Sequence, residues 1–339
     1  MVLLLIILKE TGPTAACSSS CSSECDCSRR GLTSVPQDLP TTITELDLDN
    51  NAITNLSQSD FLRYRSLRTL GLSHNQISVI HNKTFNNLIS LYLLNLNYNH
   101  LTNLPADIFV GLGNLQQLYL CNNQFTSLPA GIFVGLGNTQ FLCLGNDQLT
   151  SLSAGIFVGL DKLRSLYLDN NQLTSLPAGT FVGLDNMQYL TLSSNQLTSL
   201  PASIFMGLDN VQNLYLSRNK LTSLPADIFV GLGNLQDLSL SNNQLTSLPA
   251  GIFVGLDNLE RLNIRDNDIH SIEAGTFNNT TQLRSLYLRY NSISTIAADM
   301  LRNLLQLETL TLSGNNINIF PFEALSNLNI LVLSELRLD

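Results

Sequence analysis

The sequence predicts a mainly β solenoid of the α/β class, a horseshoe with a parallel sheet along its concave side and irregular turns along its convex side. Three observations carry this. The pattern LxxLxLxxNxL recurs with a step of twenty-four residues along most of the chain. Asparagine holds its ninth place from Asn51 to Asn315, interrupted at Asp147. Phenylalanine holds the nineteenth place ten times, from Phe61 to Phe277. Self-similarity at such a period means stacked units that bury a continuous core only together.

The copies open at Ile43, Leu67, Leu91, Leu115, Thr139, Leu163, Met187, Val211, Leu235, Leu259, Leu283 and Leu307. They define twelve repeats over residues 43–327, and a shortened copy with Leu328, Leu331 and Leu333 occupies residues 328–339. Within a repeat the first, fourth and sixth places, such as Leu163, Leu166 and Leu168, alternate about a short strand and face the core. An asparagine amide both donates and accepts, so stacked asparagines can satisfy the backbone of successive turns. The phenylalanines form an aromatic spine beneath the convex side. Leu-Pro pairs such as Leu176-Pro177 favour extended backbone there over a long helix.

Residues 1–16, MVLLLIILKETGPTAA, read as a signal peptide with a short apolar run from Val2 to Leu8 and small residues before Cys17. Behind it Cys17, Cys21, Cys25 and Cys27 stand in CSSSCSSECDC, which suggests two disulfides in one of three connectivities. With GLTSVPQDLP they make residues 17–42 a candidate N-terminal cap. Asn55, Asn82, Asn278 and Asn279 open N-glycosylation sequons, all on the convex or flanking part of their repeats. These features point to an extracellular location. No later stretch approaches a membrane span, so attachment would need an anchor not present in this chain. The net charge of −9 argues against nucleic acid, whose phosphates call for clustered Lys and Arg.

Catalysis is not expected. His74, His81, His100 and His270 are scattered over different repeat positions, and HExxH, GxSxG and GxxxxGK are absent. Asp47 and Asp49 point the same way, but on an open strand with no pocket to raise either pKa. No cofactor or metal is implied.

A binding surface is expected on the outward places of the strands. Tyr92, Tyr98, Tyr119, Tyr167, Tyr189, Tyr215, Tyr287 and Tyr290 fall on the concave side, joined by Phe141. Tyrosine offers a large amphipathic contact at low entropic cost, although it also favours strands for their own sake. Copies within the chain weigh for binding. In the six repeats opening at residues 115 to 235, the twelfth place is always Thr and the thirteenth always Ser. The fifth place runs Tyr119, Cys143, Tyr167, Thr191, Tyr215, Ser239, and the third runs Gln117, Phe141, Ser165, Tyr189, Asn213, Asp237. With both classes expected at the surface, change gathers on the strand face. Farther on, Arg261, Arg265, Arg284 and Arg289 beside Tyr287 suggest a secondary anion-tolerant site.

The repeat at residues 139–162 departs from pattern. Thr139 replaces an apolar residue, Ser153 a proline and Asp147 the asparagine, so neighbouring carbonyls are expected to lack a donor. Cys121 and Cys143 lie diagonally on one face. Flat strands about 4.8 Å apart, offset by two residues, put their Cα atoms roughly 8 Å apart, so two free thiols are expected.

Residues 28 to 333 resemble the extracellular leucine-rich-repeat family, and the fold expected is that family's horseshoe. CSRRGLTSVPQDLPTTITELDLDNN (Cys27 to Asn51) and NQLTSLPAGTFVGLDN (Asn171 to Asn186) are most similar to the variable lymphocyte receptors of jawless vertebrates. Toll-like receptor ectodomains and Slit-type repeats are similar at greater distance. The resemblance implies a protein or glycan ligand, antigen-like, held on the concave face by Tyr119, Phe141, Tyr167, Tyr189 and Tyr215; an adhesion or guidance module of the Slit kind is the other reading. Two departures stand out. The four N-terminal cysteines are more crowded than the family pattern, and residues 328–339 lack the cysteines of a C-terminal cap, which leaves an end that a dimer partner could cover.

Overall fold

The computed structural model describes Cys17, residues 21–325 and residues 332–334; the expected signal peptide at residues 1–16 lies outside the described residues. Among the described residues, fourteen strands form one parallel sheet in chain order, from Glu24–Asp26 and Glu45–Asp47 through to Thr309–Thr311 and Val332–Ser334. Each full repeat contributes three residues centred on its fourth place. The register steps one repeat at a time, as in Tyr189↔Asn213, Leu190↔Leu214 and Thr191↔Tyr215.

The strands are short because the chain leaves each of them through a left-handed residue at the eighth place. Asn50, Tyr98, Asn122, Asn170, Arg218 and Tyr290 all have φ between 53° and 59° there. The asparagine one place later then bridges the repeats. Asn195 Nδ2 donates to the carbonyls of Leu168 (2.9 Å) and Leu192 (3.1 Å), while its Oδ1 accepts the Leu173 N–H at 3.0 Å. A buried amide thus closes both its own turn and the one before it, which is the accounting a buried backbone demands.

Inside, the leucines of the first, fourth and sixth places and the ten spine phenylalanines are essentially inaccessible and belong to one continuous core. From Phe109 to Phe277 successive rings stand 5.7–6.5 Å apart. The convex side is made of turns, with helices of four residues only, at Gln58–Phe61, Ala298–Leu301 and Phe322–Leu325, among the described residues. A second asparagine ladder runs there. Asn186, Asn210 and Asn234, at the twenty-fourth place, each donate to a carbonyl twenty-five residues earlier, at 2.7–2.8 Å.

At the N-terminal end the strand Glu24–Asp26 extends the sheet, and Asn51 ties it in by donating to Cys27 O at 2.9 Å and accepting from Leu32 N at 3.0 Å. Tyr64, buried, donates its hydroxyl to the Pro36 carbonyl. Of the four cysteines expected in two disulfides, Cys21 and Cys25 are bridged, with Cα atoms 4.6 Å apart. Cys17 and Cys27 are instead buried side by side as hydrogen-bonded thiols, and burial first, then Cys17, pushes the Cys27 thiol well up. Cys25 and Cys27, two places apart on an extended segment, face the same way; Cys21 reaches the first and leaves Cys17 beside the second.

Candidate binding face

Five of the predicted residues come together in one file of rings across the concave sheet. Tyr119 packs on Phe141 (centroids 4.7 Å apart), Phe141 on Tyr167 (5.1 Å), Tyr167 on Tyr189 (4.8 Å) and Tyr189 on Tyr215 (5.4 Å). The file zigzags because the rings come alternately from the fifth and third places of successive repeats, and diagonal neighbours on parallel strands lie within reach of aromatic side chains. Each ring is half-buried against the next. Burial accordingly pushes the Tyr119, Tyr167, Tyr189 and Tyr215 phenols up, Tyr189 to about 12.

Polar contacts extend the file at both ends. Tyr119 donates to Gln117 Oε1 at 2.9 Å, and the Gln117 amide donates to the Tyr92 hydroxyl at 3.3 Å. Tyr92 stands one residue before its strand, Leu93–Asn95, so it reaches the file only through Gln117. At the other end the Tyr215 hydroxyl donates to Asp237 Oδ2 at 3.3 Å, and Arg261 Nη1 meets the same oxygen at 2.6 Å. Nine residues from Tyr92 to Arg261 therefore form one connected strip.

The second places of the repeats form a shelf beside this strip, and sequence reasoning passed over it. Gln116, Gln140, Arg164 and Gln188 line a shallow hollow with Tyr92 and Phe141, and Gln140 donates to Gln116 Oε1 at 3.1 Å. The twenty-four-residue step that located the asparagines also marks this column.

Other expected residues lie apart. Tyr287 ends the strand Ser285–Tyr287, with Asn263 and Ser239 separating it from Tyr215 in register. Tyr98 and Tyr290 sit on the turn after the strand, at the rim. Tyr98 stacks on His74 with centroids 4.1 Å apart, and Tyr290 lies under the Arg289 guanidinium at 4.8 Å. Of the four arginines of the expected anion site, Arg261, Arg265 and Arg284 have carboxylate partners in Asp237, Asp266 and Glu308. The side chains of Asn55, Asn82, Asn278 and Asn279 are exposed, away from the ring file.

Three expectations are corrected here. Cys121 and Cys143 are not two thiols: they form a disulfide, with Cα atoms 5.3 Å apart. The flat-strand estimate failed because the strand Gln117–Tyr119 ends before Cys121, so the spacing of paired flat strands does not hold at that place. Asp47 is not on a bare strand. It lines a shallow hollow with Glu24, Asp26, Glu45 and Asp49, open because Gly71 has no side chain, and burial pushes its carboxyl up. Finally, the strand face is less exposed than the Thr and Ser of the twelfth and thirteenth places, since its rings cover one another.

A twenty-four-residue repeat with a concave strip of rings defines a class of protein, and comparison with known proteins gives the family. The leucine rich repeat family model matches seven overlapping stretches running from residue 41 to residue 317. The chain belongs to the leucine-rich-repeat family. Toll-like receptor 3 of Bos taurus is 49% identical over 45 residues, 13% of this chain and 5% of that protein. Among solved structures, the Drosophila Toll–Spatzle complex aligns with a TM-score of 0.82 at 30% identity, over 89% of this chain and 42% of the other. The TLR13–ssRNA13 complex aligns at 0.72 and 26% identity, over 89% and 47%. The octameric complex of Latrophilin 3, Unc5D and the FLRT2 repeats aligns at 0.71 and 25% identity, over 83% and 85%. The chain thus spans less than half of the Toll and TLR13 chains it matches.

Proposed function

We propose that this chain is an extracellular recognition protein that binds a protein or glycan ligand on its concave face, in the manner of an immune receptor of the variable-lymphocyte type. The connected strip from Tyr92 to Arg261 carries the reading. It lies on the surface whose residues differ most from repeat to repeat, while the more exposed Thr and Ser of the turns stay constant. Because the rings lean on one another at angles of 30° to 65°, a ligand meets their exposed edges and hydroxyls, with the glutamine shelf alongside to donate and accept. The Toll and FLRT2 likenesses, each to a complex with protein partners, support the reading. A nucleic acid like that of the TLR13 complex fits poorly with a net charge of −9 and paired arginines.

Secretion through residues 1–16 and glycosylation at the four sequons belong to the same proposal, and no residue of the strip is assigned a chemical step. An adhesion or guidance role is the second reading, favoured by the FLRT2 likeness. The two separate in a screen of the purified chain against microbial glycans, bacterial surfaces and animal cell-surface proteins, with a Tyr119→Ala, Tyr167→Ala, Tyr215→Ala variant beside it. Microbial binding lost in the variant supports immune recognition. Binding confined to cell-surface proteins supports adhesion, and binding indifferent to the tyrosines overturns the concave site.

A further inference from the structure

The convex side carries a second ordered surface that the concave reading does not use. In seven consecutive repeats, from Val110 to Val254, the residue after the spine phenylalanine is apolar and 48–69% exposed. The single change in the row, Met206, keeps it apolar. The geometry follows from the spine: each phenylalanine is drawn into the core, so its successor is turned outward at the same pitch. That pitch is 5.9–6.5 Å between successive rings here, against about 4.8 Å between strands, so the stack curves and the row lies along its outer arc. A furrow runs beside it. The next place is always glycine at positive φ, from Gly111 (92°) to Gly255 (86°), and a Cβ at Gly135, Gly159, Gly183 or Gly255 would meet nothing within 4 Å.

We propose that this ridge and furrow are the interface for a second copy of the chain, packed back to back with the two rows parallel, about a two-fold axis that runs along the boundary between ridge and furrow. A two-fold interface must be complementary to itself. A row of like side chains at constant pitch, beside a furrow of the same pitch, meets that condition: each copy's ridge enters the other's furrow. Seven side chains at this exposure offer on the order of 600 Å² of apolar surface, the upper end of what a monomer leaves uncovered. That approaches the roughly 800 Å² each partner gives to a standard interface. The row itself carries no charge, although the Asp185 and Asp209 carboxylates stand beside the furrow at Gly207 and Gly231, and it ends where the twentieth place becomes Asn86 on one side and Asn278 on the other. Glycans at the Asn82 and Asn278 sequons would flank it rather than cover it. Both concave faces would point outward in such a pair, free for ligand.

The test is sedimentation velocity of the intact chain across micromolar concentrations, beside a Val158→Asp, Val182→Asp, Met206→Asp variant. The altered side chains are exposed, so the variant keeps its circular dichroism spectrum. A concentration-dependent dimer in the parent and a monomer in the variant are expected, with Tyr167→Ala still dimeric. A parent that stays monomeric overturns the proposal. So does a variant that still dimerises, which would move the contact to the C-terminal end. Flotation of a monomeric parent with phosphatidylcholine vesicles, lost in the variant, would assign the ridge to lipid and also overturn it.

Discussion

Asp147 Oδ1 accepts the backbone N–H of Phe125 at 3.1 Å, the bond that an asparagine Oδ1 accepts in the neighbouring repeats, as Asn123 does from Leu101 and Asn171 from Leu149. It also accepts Asn123 N–H at 3.1 Å, while Oδ2 is buried with no hydrogen-bond partner among the described residues. The missing donor is felt on both sides. The Leu96 and Leu168 carbonyls each receive two asparagine amides, whereas Leu120 and Leu144 each receive one, from Asn123 and Asn171. The expected shortage is therefore present but halved, because each carbonyl is shared between two repeats.

Burial raises the Asp147 carboxyl to about 7, against the two backbone N–H groups that lower it. A group whose folded pKa lies above its unfolded value of 3.8 contributes stability that is complete below 3.8 and is lost as pH rises through about 7. The urea midpoint of the parent should therefore fall between pH 5 and pH 8 relative to Asp147→Asn. At pH 8 the asparagine variant should be more stable by about 1–3 kcal/mol, the cost of unsatisfied buried groups. A pH-independent difference between the two would contradict this account.

The same repeat junction carries the Cys121–Cys143 bridge. Lys162, where Asn186 and Asn210 stand in later repeats, interrupts the second ladder there too, and donates to Asn138 Oδ1 at 2.8 Å instead. A covalent link thus spans the place where both asparagine ladders fail. Cys121→Ser with Cys143→Ser should lower stability by about 3 kcal/mol, as expected for a loop of this size. Hydrogen exchange should rise first in residues 115–162. Thiol titration of the unfolded, unreduced chain that finds both cysteines reactive would remove the bridge.

The convex ladder gives a smaller, cleaner effect. Asn186→Ala deletes one donation to Asp161 O and should cost about 1 kcal/mol. Asp185→Ala next to it serves as the control, and equal losses from both would count against the ladder.

Alkaline titration reads the ring file directly. Tyr189, pushed to about 12 by burial and then by Tyr167 and Tyr215, should lose its phenol proton well above the usual tyrosine range. Tyr189→Phe should remove the last step of the absorbance change. Since the folded pKa exceeds the unfolded value of 10.0, stability falls as pH rises from about 10 through 12. If Tyr189→Phe removes an early step instead, the rings are not packed as described.

Most of the architecture was legible because it rests on period alone. The leucines, the asparagines and the phenylalanine spine occupy fixed places, and a buried place tolerates few residue types. The ring file was legible as a set of residues but not as a file, since contact between Tyr119 and Phe141 depends on which way two side chains lean across a strand pair. Tyr98 and Tyr290 were misread as part of the strand face for a related reason: the left-handed turn at the eighth place carries them to the rim, and their neighbours in the sequence do not reveal it. The Cys121–Cys143 distance failed because strand ends, not strand centres, set it. The shelf of glutamines had a periodic signal, and was passed over because glutamine at a surface is unremarkable singly.

The central claim is that ligand meets the ring file and not the turns. The most direct measurement compares affinity for a captured ligand between Tyr167→Ala and a Thr150→Ala, Thr174→Ala, Thr198→Ala variant. These threonines are the more exposed, so exposure alone would favour them as contacts. The account predicts at least about a tenfold loss, roughly 1.4 kcal/mol, for Tyr167→Ala and no change for the threonine variant. Unchanged affinity in Tyr167→Ala with a loss in the threonine variant would contradict it.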